Sequence, residues 1–132
     1  MPLSDLHALR GKLIVSVQAD EDEPLAPPDI LAALCDSVLS GGAAGLRLAN
    51  PEVMRRMRRA HPGLPIIGIT KPKRLPTNPT AAVYITPTVA DALAVLGAGA
   101  TIVATDATDR PRPDGASLAD WVRGYAPATR KP

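Results

Sequence analysis

Apolar residues recur along this chain in two alternating ways. Short aliphatic runs, nearly unbroken, are followed by stretches in which apolar residues return every three or four positions. The first pattern is that of a strand buried on both faces, the second that of an amphipathic helix. Strands are predicted over residues 12–17, 44–48, 65–70 and 101–105. The third, Pro65-Ile66-Ile67-Gly68-Ile69-Thr70, is the most continuous, and Pro65 can open it because a first strand position tolerates a missing N–H. Residues 82–85 read as a brief extended piece.

Helices are predicted between these runs. Ser4 to Arg10 reads as a short one, with Ser4 as cap and Leu6 and Leu9 inward. Residues 29–39 carry Ile30, Leu31, Leu34 and Val38 at helical spacing, behind a favourable Pro28. Asn50-Pro51 opens a helix with Val53, Met54 and Met57 on its apolar face. Thr88-x-x-Asp91 resembles a capping box and precedes Val89, Ala92, Leu93 and Leu96, with Gly97 and Gly99 as the stop. Ser117-x-x-Asp120 caps the last, which bears Leu118, Trp121, Val122 and Tyr125.

The resulting β-α-β-α-β-α-β-α order demands a parallel sheet with right-handed crossovers. Val38-Leu39-x-x-Gly42-Ala43 before the second strand is echoed by Val95-Leu96-x-x-Gly99-Ala100 before the fourth. A repeated βα pair points to a (β/α) barrel, and no G-x-G-x-x-G follows the first strand, which weakens a nucleotide-binding sheet. A full barrel takes roughly 250 residues, so this α/β chain is expected to hold about half of one. Residues 1–126 are taken as a single partial barrel and residues 127–132 as a loose basic tail.

Composition narrows the function classes. With no Phe, one Trp and two Tyr among 132 residues, the core must be aliphatic. A net charge of +2 does not imply a nucleic-acid partner. The single Cys35 cannot form an internal disulfide and reads as a small buried thiol. No leader-like segment or bilayer-length apolar run occurs, so a cytoplasmic protein without membrane attachment is expected. Arg55, Arg56, Arg58 and Arg59 form a basic helix face, read as solvated, with phosphate contact as the alternative. His61 reads as a surface residue.

Four polar groups lie in or just after the four strands: Gln18, Arg47, Lys71 and Asp106. In a barrel they converge on the C-terminal mouth, where active sites of that fold lie. An amine, a guanidinium and a carboxylate around one pocket suit proton transfer beside a carbonyl on an anionic substrate. The plainer alternative is that each solvates its own strand exit; Lys71, followed at once by Pro72, would serve that purpose too.

Several segments carry a family resemblance. Leu13-Ile14-Val15-Ser16-Val17-Gln18, Glu23-Pro24-Leu25, Gly45-Leu46-Arg47, the third strand through Lys71, and Val83-Tyr84-Ile85-Thr86-Pro87-Thr88 resemble the N-acylglucosamine-6-phosphate 2-epimerases in order and rough spacing. The most specific piece is Asp106-Ala107-Thr108-Asp109-Arg110-Pro111-Arg112-Pro113. The resemblance implies a (β/α)₈ barrel that interconverts N-acetylmannosamine-6-phosphate and N-acetylglucosamine-6-phosphate in amino-sugar and sialic acid breakdown, with no cofactor. It implies Lys71 as the proton-transferring residue, Arg47 as its catalytic companion, and Gln18, Asp106 and Arg110 as contacts to the phosphorylated N-acyl amino sugar.

The departures bear on activity. Pro72-Lys73 stands where the family usually has Arg-Asp, and the loop through Thr80 is longer and proline-rich. The family's second catalytic carboxylate and its phosphate-binding loops belong to a half that these residues do not include. Two readings follow: an epimerase half completed by a second copy or a separate C-terminal half-barrel, or a non-catalytic half-barrel. Four strands leave two apolar sheet edges, so association rather than a stable monomer is expected.

Overall fold

A computed structural model describes residues 3–125; the tail expected from residue 127 lies outside them. Four parallel strands, β1 (Ile14–Val17), β2 (Gly45–Leu48), β3 (Ile66–Gly68) and β4 (Ile102–Val103), form one sheet in the order β1-β2-β3-β4. The helices are α1 (Leu3–Ala8), α2 (Pro28–Ser40), α3 (Pro51–Ala60), α4 (Val89–Gly97) and α5 (Leu118–Tyr125). Order and direction are those the sequence predicts, each strand lying beside the next along the chain as repeated βα units favour. The regular strands are shorter than predicted, yet single bonds carry the ladder outward: Ala44 N donates to Leu13 O, Ile69 N to Leu48 O, and Ala104 N to Gly68 O. Residues 82–85 form no strand; Val83 and Ile85 are buried instead, and Val83 N donates to Pro111 O.

One face of the sheet carries the core. Val17, Leu46, Leu48 and Ile66 pack with Leu31, Cys35, Val53, Met54, Met57, Val95, Ala98 and Ala100. The other face is a row of side chains held in register across all four strands: Ser16 opposite Arg47, Arg47 opposite Ile67, Ile67 opposite Ile102. Ser16 is exposed and the other three are only half-buried. That row is the interior of half a barrel. Among the described residues β1 pairs only with β2, and β4 only with β3, so both edges are open, and Leu13 and Ile14 at the first are exposed.

The starts of α3, α4 and α5 follow the predicted chemistry, whereas Ser4, expected as the cap of the first helix, falls inside α1. Asn50 Oδ1 accepts from Glu52 N at 2.9 Å and Val53 N at 3.2 Å. Thr88 and Asp91 exchange backbone-to-side-chain bonds in a full capping box, and Ser117 and Asp120 do the same. Removing the Asn50 acceptor leaves two first-turn N–H groups unpaired. Asn50→Ala is therefore expected to cost about 1 kcal/mol, read as a lower urea midpoint with an unchanged slope.

Which side of each helix faces inward is where the sequence reading departs. On α4 the buried residues are Ala92 and Val95, while Leu93 is exposed; Val95 is the α4 side chain that meets β3, over Gly68. On α2, Ile30 is exposed since it sits a third of a turn from the Leu31–Cys35 stripe. Leu6 is exposed, while Leu9, just past α1, closes over Gly45 of β2. Val122 is exposed beside buried Trp121. The basic face of α3 is not simply solvated. Arg56 bonds Asp29 and Glu52, and Arg58 donates to Gly99 O at 2.9 Å and Pro62 O at 2.8 Å.

Candidate active site

Parallel strands bring the residues that follow them to one end of the sheet. Gln18 leaves β1 and turns back, its Nε2 donating to Ser16 Oγ at 2.6 Å. Its Oε1 is buried without a partner, an acceptor that a hydroxyl or amide N–H could satisfy. Gln18 and Lys71 line one cleft of about 650 Å³, together with Asp20, Glu21, Glu23, Asn50 and Lys73. Arg47 does not line it. It sits in the barrel-interior row beside Ser16, the residue that Gln18 grips.

Asp106 and Arg110 are set apart from that pair. Their side chains face each other at 3.8 Å beyond β4. Arg110 is also engaged elsewhere: Nη1 donates to Pro79 O at 2.9 Å and Nε to Thr108 Oγ1 at 3.1 Å. It thereby fastens the proline-rich loop of residues 72–80 to the exit of β4. The same loop meets the β1 exit through Lys73 and Glu21, 3.5 Å apart, both largely exposed, so that contact contributes little.

Two residues given no role from sequence stand out here. Thr86 is fully buried and has a φ of 45°, a left-handed conformation uncommon for a β-branched residue. Arg112 is 4% exposed, its guanidinium spent on neutral acceptors: Pro87 O, Thr105 Oγ1 and Asp106 O. The sequence signal was that both lie in segments that resemble the epimerase family, Thr86 in residues 83–88 and Arg112 in residues 106–113, a resemblance that named no role for either.

Other chemistry finds no support among the described residues. Burial, with Asp36 beside it, pushes the Cys35 thiol up to about 11, so it is not a thiolate nucleophile near neutrality. Among the described residues no group of three or more His, Cys, Asp or Glu is placed to hold a metal, and no helix is long and apolar enough to cross a membrane.

Comparison with known proteins places this geometry. The model of a family described as "Putative N-acetylmannosamine-6-phosphate epimerase" matches residues 31–124. A protein of Synechococcus elongatus described as "Putative N-acetylmannosamine-6-phosphate 2-epimerase" is 49% identical over 110 residues, covering 83% of this chain and 46% of the relative. One of Clostridioides difficile with the same description is 36% identical over 118 residues, covering 89% and 51%. A solved structure, that of the N-acetylmannosamine-6-phosphate 2-epimerase from Clostridium perfringens, superposes with a TM-score of 0.80 at 32% identity. It matches 96% of this chain and 52% of its own. The chain thus spans about half the length of the curated relatives it matches.

Proposed function

The chain belongs to the N-acetylmannosamine-6-phosphate epimerase family, and from that membership we propose that it supplies the lysine-bearing half of an epimerase active site. The reaction interconverts N-acetylmannosamine-6-phosphate and N-acetylglucosamine-6-phosphate, in the cytoplasm and within amino-sugar and sialic acid breakdown. The observation that carries this reading is the shared cleft of Gln18 and Lys71 at the C-terminal end of a parallel sheet, with Arg47 in the row beneath.

In the open-chain sugar the C2 hydrogen lies next to the C1 aldehyde, and its removal leaves an enolate, with the charge on O1 and the acetamido nitrogen still on C2. Lys71 Nζ takes or returns that proton on one face of C2. Arg47, a fixed cation in the interior row, stabilises the developing negative oxygen. Gln18 binds a sugar hydroxyl or the acetamido group through its unpartnered Oε1. Asp106 and Arg110 contact the substrate at the β4 exit once their mutual pairing opens. Oxidation state at C2 is the same before and after, so proton transfer alone completes the balance and no redox cofactor is required.

Inversion needs a second proton-transfer group on the opposite face of C2. That group, and the loops that hold the phosphate, belong to the half of the fold beyond these residues. The completing half is another copy of this chain or a C-terminal half-barrel carrying strands five to eight. A non-catalytic half-barrel remains the second reading, favoured by the half-buried interior row and the two open edges. The test is conversion of N-acetylmannosamine-6-phosphate by the purified chain, alone and mixed with the C-terminal half of a relative. Turnover in the mixture, or by the chain's own oligomer, is the expected result. A stable mixed complex without turnover supports the second reading.

A further inference from the structure

We propose that Thr86 and Arg112 are positioning residues: they form a hydrogen-bonded strap across the exits of β3 and β4 that fixes where Lys71 and Asp106 emerge. The role rests on the site reading above, but the strap itself is defined by geometry. Thr86 grips the residue before Lys71 at two points. Its N donates to Thr70 O at 3.1 Å, and its Oγ1 accepts from Thr70 N at 3.0 Å. The carbonyl of Thr86 is held from the other side, 3.0 Å from Thr105 Oγ1, which also lies 3.0 Å from Ile85 O. Thr105 is the residue before Asp106.

Arg112 closes the network. Nη1 donates to Thr105 Oγ1 and to Pro87 O, each at 3.0 Å, and Nη2 to Asp106 O at 2.7 Å. Its guanidinium lies 5.9 Å from the Trp121 ring centre. Among the described residues no carboxylate pairs with it. A buried cation solvated only by backbone carbonyls and one hydroxyl keeps its place only while those acceptors keep theirs, so it reports and enforces the path of residues 85–87 and 105–106. The left-handed Thr86 immediately before Pro87 is a conformation that a free chain avoids. It persists because bonds from two strand exits over-determine it.

The strap is tested in the full chain with Thr86→Val, which keeps the branched shape and removes the acceptor, and Thr86→Ser, which restores it. Three quantities are read: hydrogen exchange of the Thr70 amide, the ¹³C signal of reductively methylated Lys71 assigned with Lys71→Arg, and kcat against KM in the assembled enzyme. Thr86→Val is expected to deprotect Thr70, shift the Lys71 signal and lower kcat by about 10² with little change in KM, since a small displacement of a reacting group costs that much. Thr86→Ser is expected to recover all three. A deprotected Thr70 with an unmoved Lys71 signal and unchanged kcat overturns the proposal, leaving a merely structural turn. Should Thr86→Val fail to fold, Arg112→Lys is read the same way, and an unmoved Lys71 signal there is equally fatal. The Lys71 signal needs no turnover. Absence of epimerisation by the wild-type assembly would refute the epimerase reading without touching the strap's hold on Lys71.

Discussion

Replacing Lys71 by methionine is expected to lower kcat of the assembled epimerase by about 10²–10⁴, the range that a positioned acid or base contributes. Methionine keeps the length and the apolar stem and removes only the amine. Lys71 is exposed at the β3 exit and makes none of the ion pairs found among the described residues. The thermal unfolding midpoint should therefore stay close to that of the parent chain. The comparison variant is Lys12→Met: Lys12 is also exposed but lies before β1, at the opposite end of the sheet. It should leave kcat essentially unchanged. Equal losses in the two variants would mean that general electrostatics, not proton transfer at the β3 exit, had been removed.

The largest effect on stability is expected at Gly68. A methyl group there would meet Val95 Cγ1 at 2.1 Å, Ala100 Cβ at 2.7 Å and Met54 Sδ at 3.4 Å. Val95 can rotate and Met54 is flexible, but Ala100 Cβ has no rotamer with which to withdraw. Either β3 or the α4–β4 connection must shift. Gly68→Ala is expected to cost about 3 kcal/mol, the upper part of the usual range for overpacking a well-filled core. Gly63→Ala is the control, with no atom within 4 Å of the added carbon, and should change stability by less than about 0.5 kcal/mol. Urea titrations of the two variants decide it. A Gly68→Ala midpoint equal to that of Gly63→Ala would show that α4 does not sit this close to β3.

What could be read from the residues, and what could not, divides by the range of the interaction. The Asn50, Thr88 and Ser117 caps were legible because donor and acceptor are at most three residues apart. Strand order was legible because repeated βα units favour each strand lying beside the next along the chain. The inward face of α4 was not. Leu93 is the more apolar choice, yet it is Val95 that lies over β3, in room left by the missing side chain of Gly68. The strap was invisible for the same reason: Thr86 meets a residue 16 positions away and Arg112 one 25 positions away.

The site shows the same division. Gln18 and Lys71 follow their strands and meet in one cleft. Arg47, one residue before the end of β2, belongs to the interior row instead. The family resemblance implies substrate contacts at Asp106 and Arg110, but at a spacing of four beyond β4 their side chains face each other. Of the arginines of α3, Arg55 and Arg59 are exposed as the sequence predicts, while Arg56 and Arg58 also reach acceptors far along the chain, Asp29 and Gly99 O, which no local pattern reveals.

Solvent-deuterium incorporation at C2 tests the central claim most directly. The chain, completed by a second half-barrel, is incubated with N-acetylmannosamine-6-phosphate in ²H₂O, and the C2 proton resonance is followed by NMR in both sugars. Proton transfer through Lys71 predicts deuterium at C2 of the N-acetylglucosamine-6-phosphate formed, and loss of that exchange in Lys71→Met. Product carrying its original C2 hydrogen, or exchange that survives Lys71→Met undiminished, would contradict it.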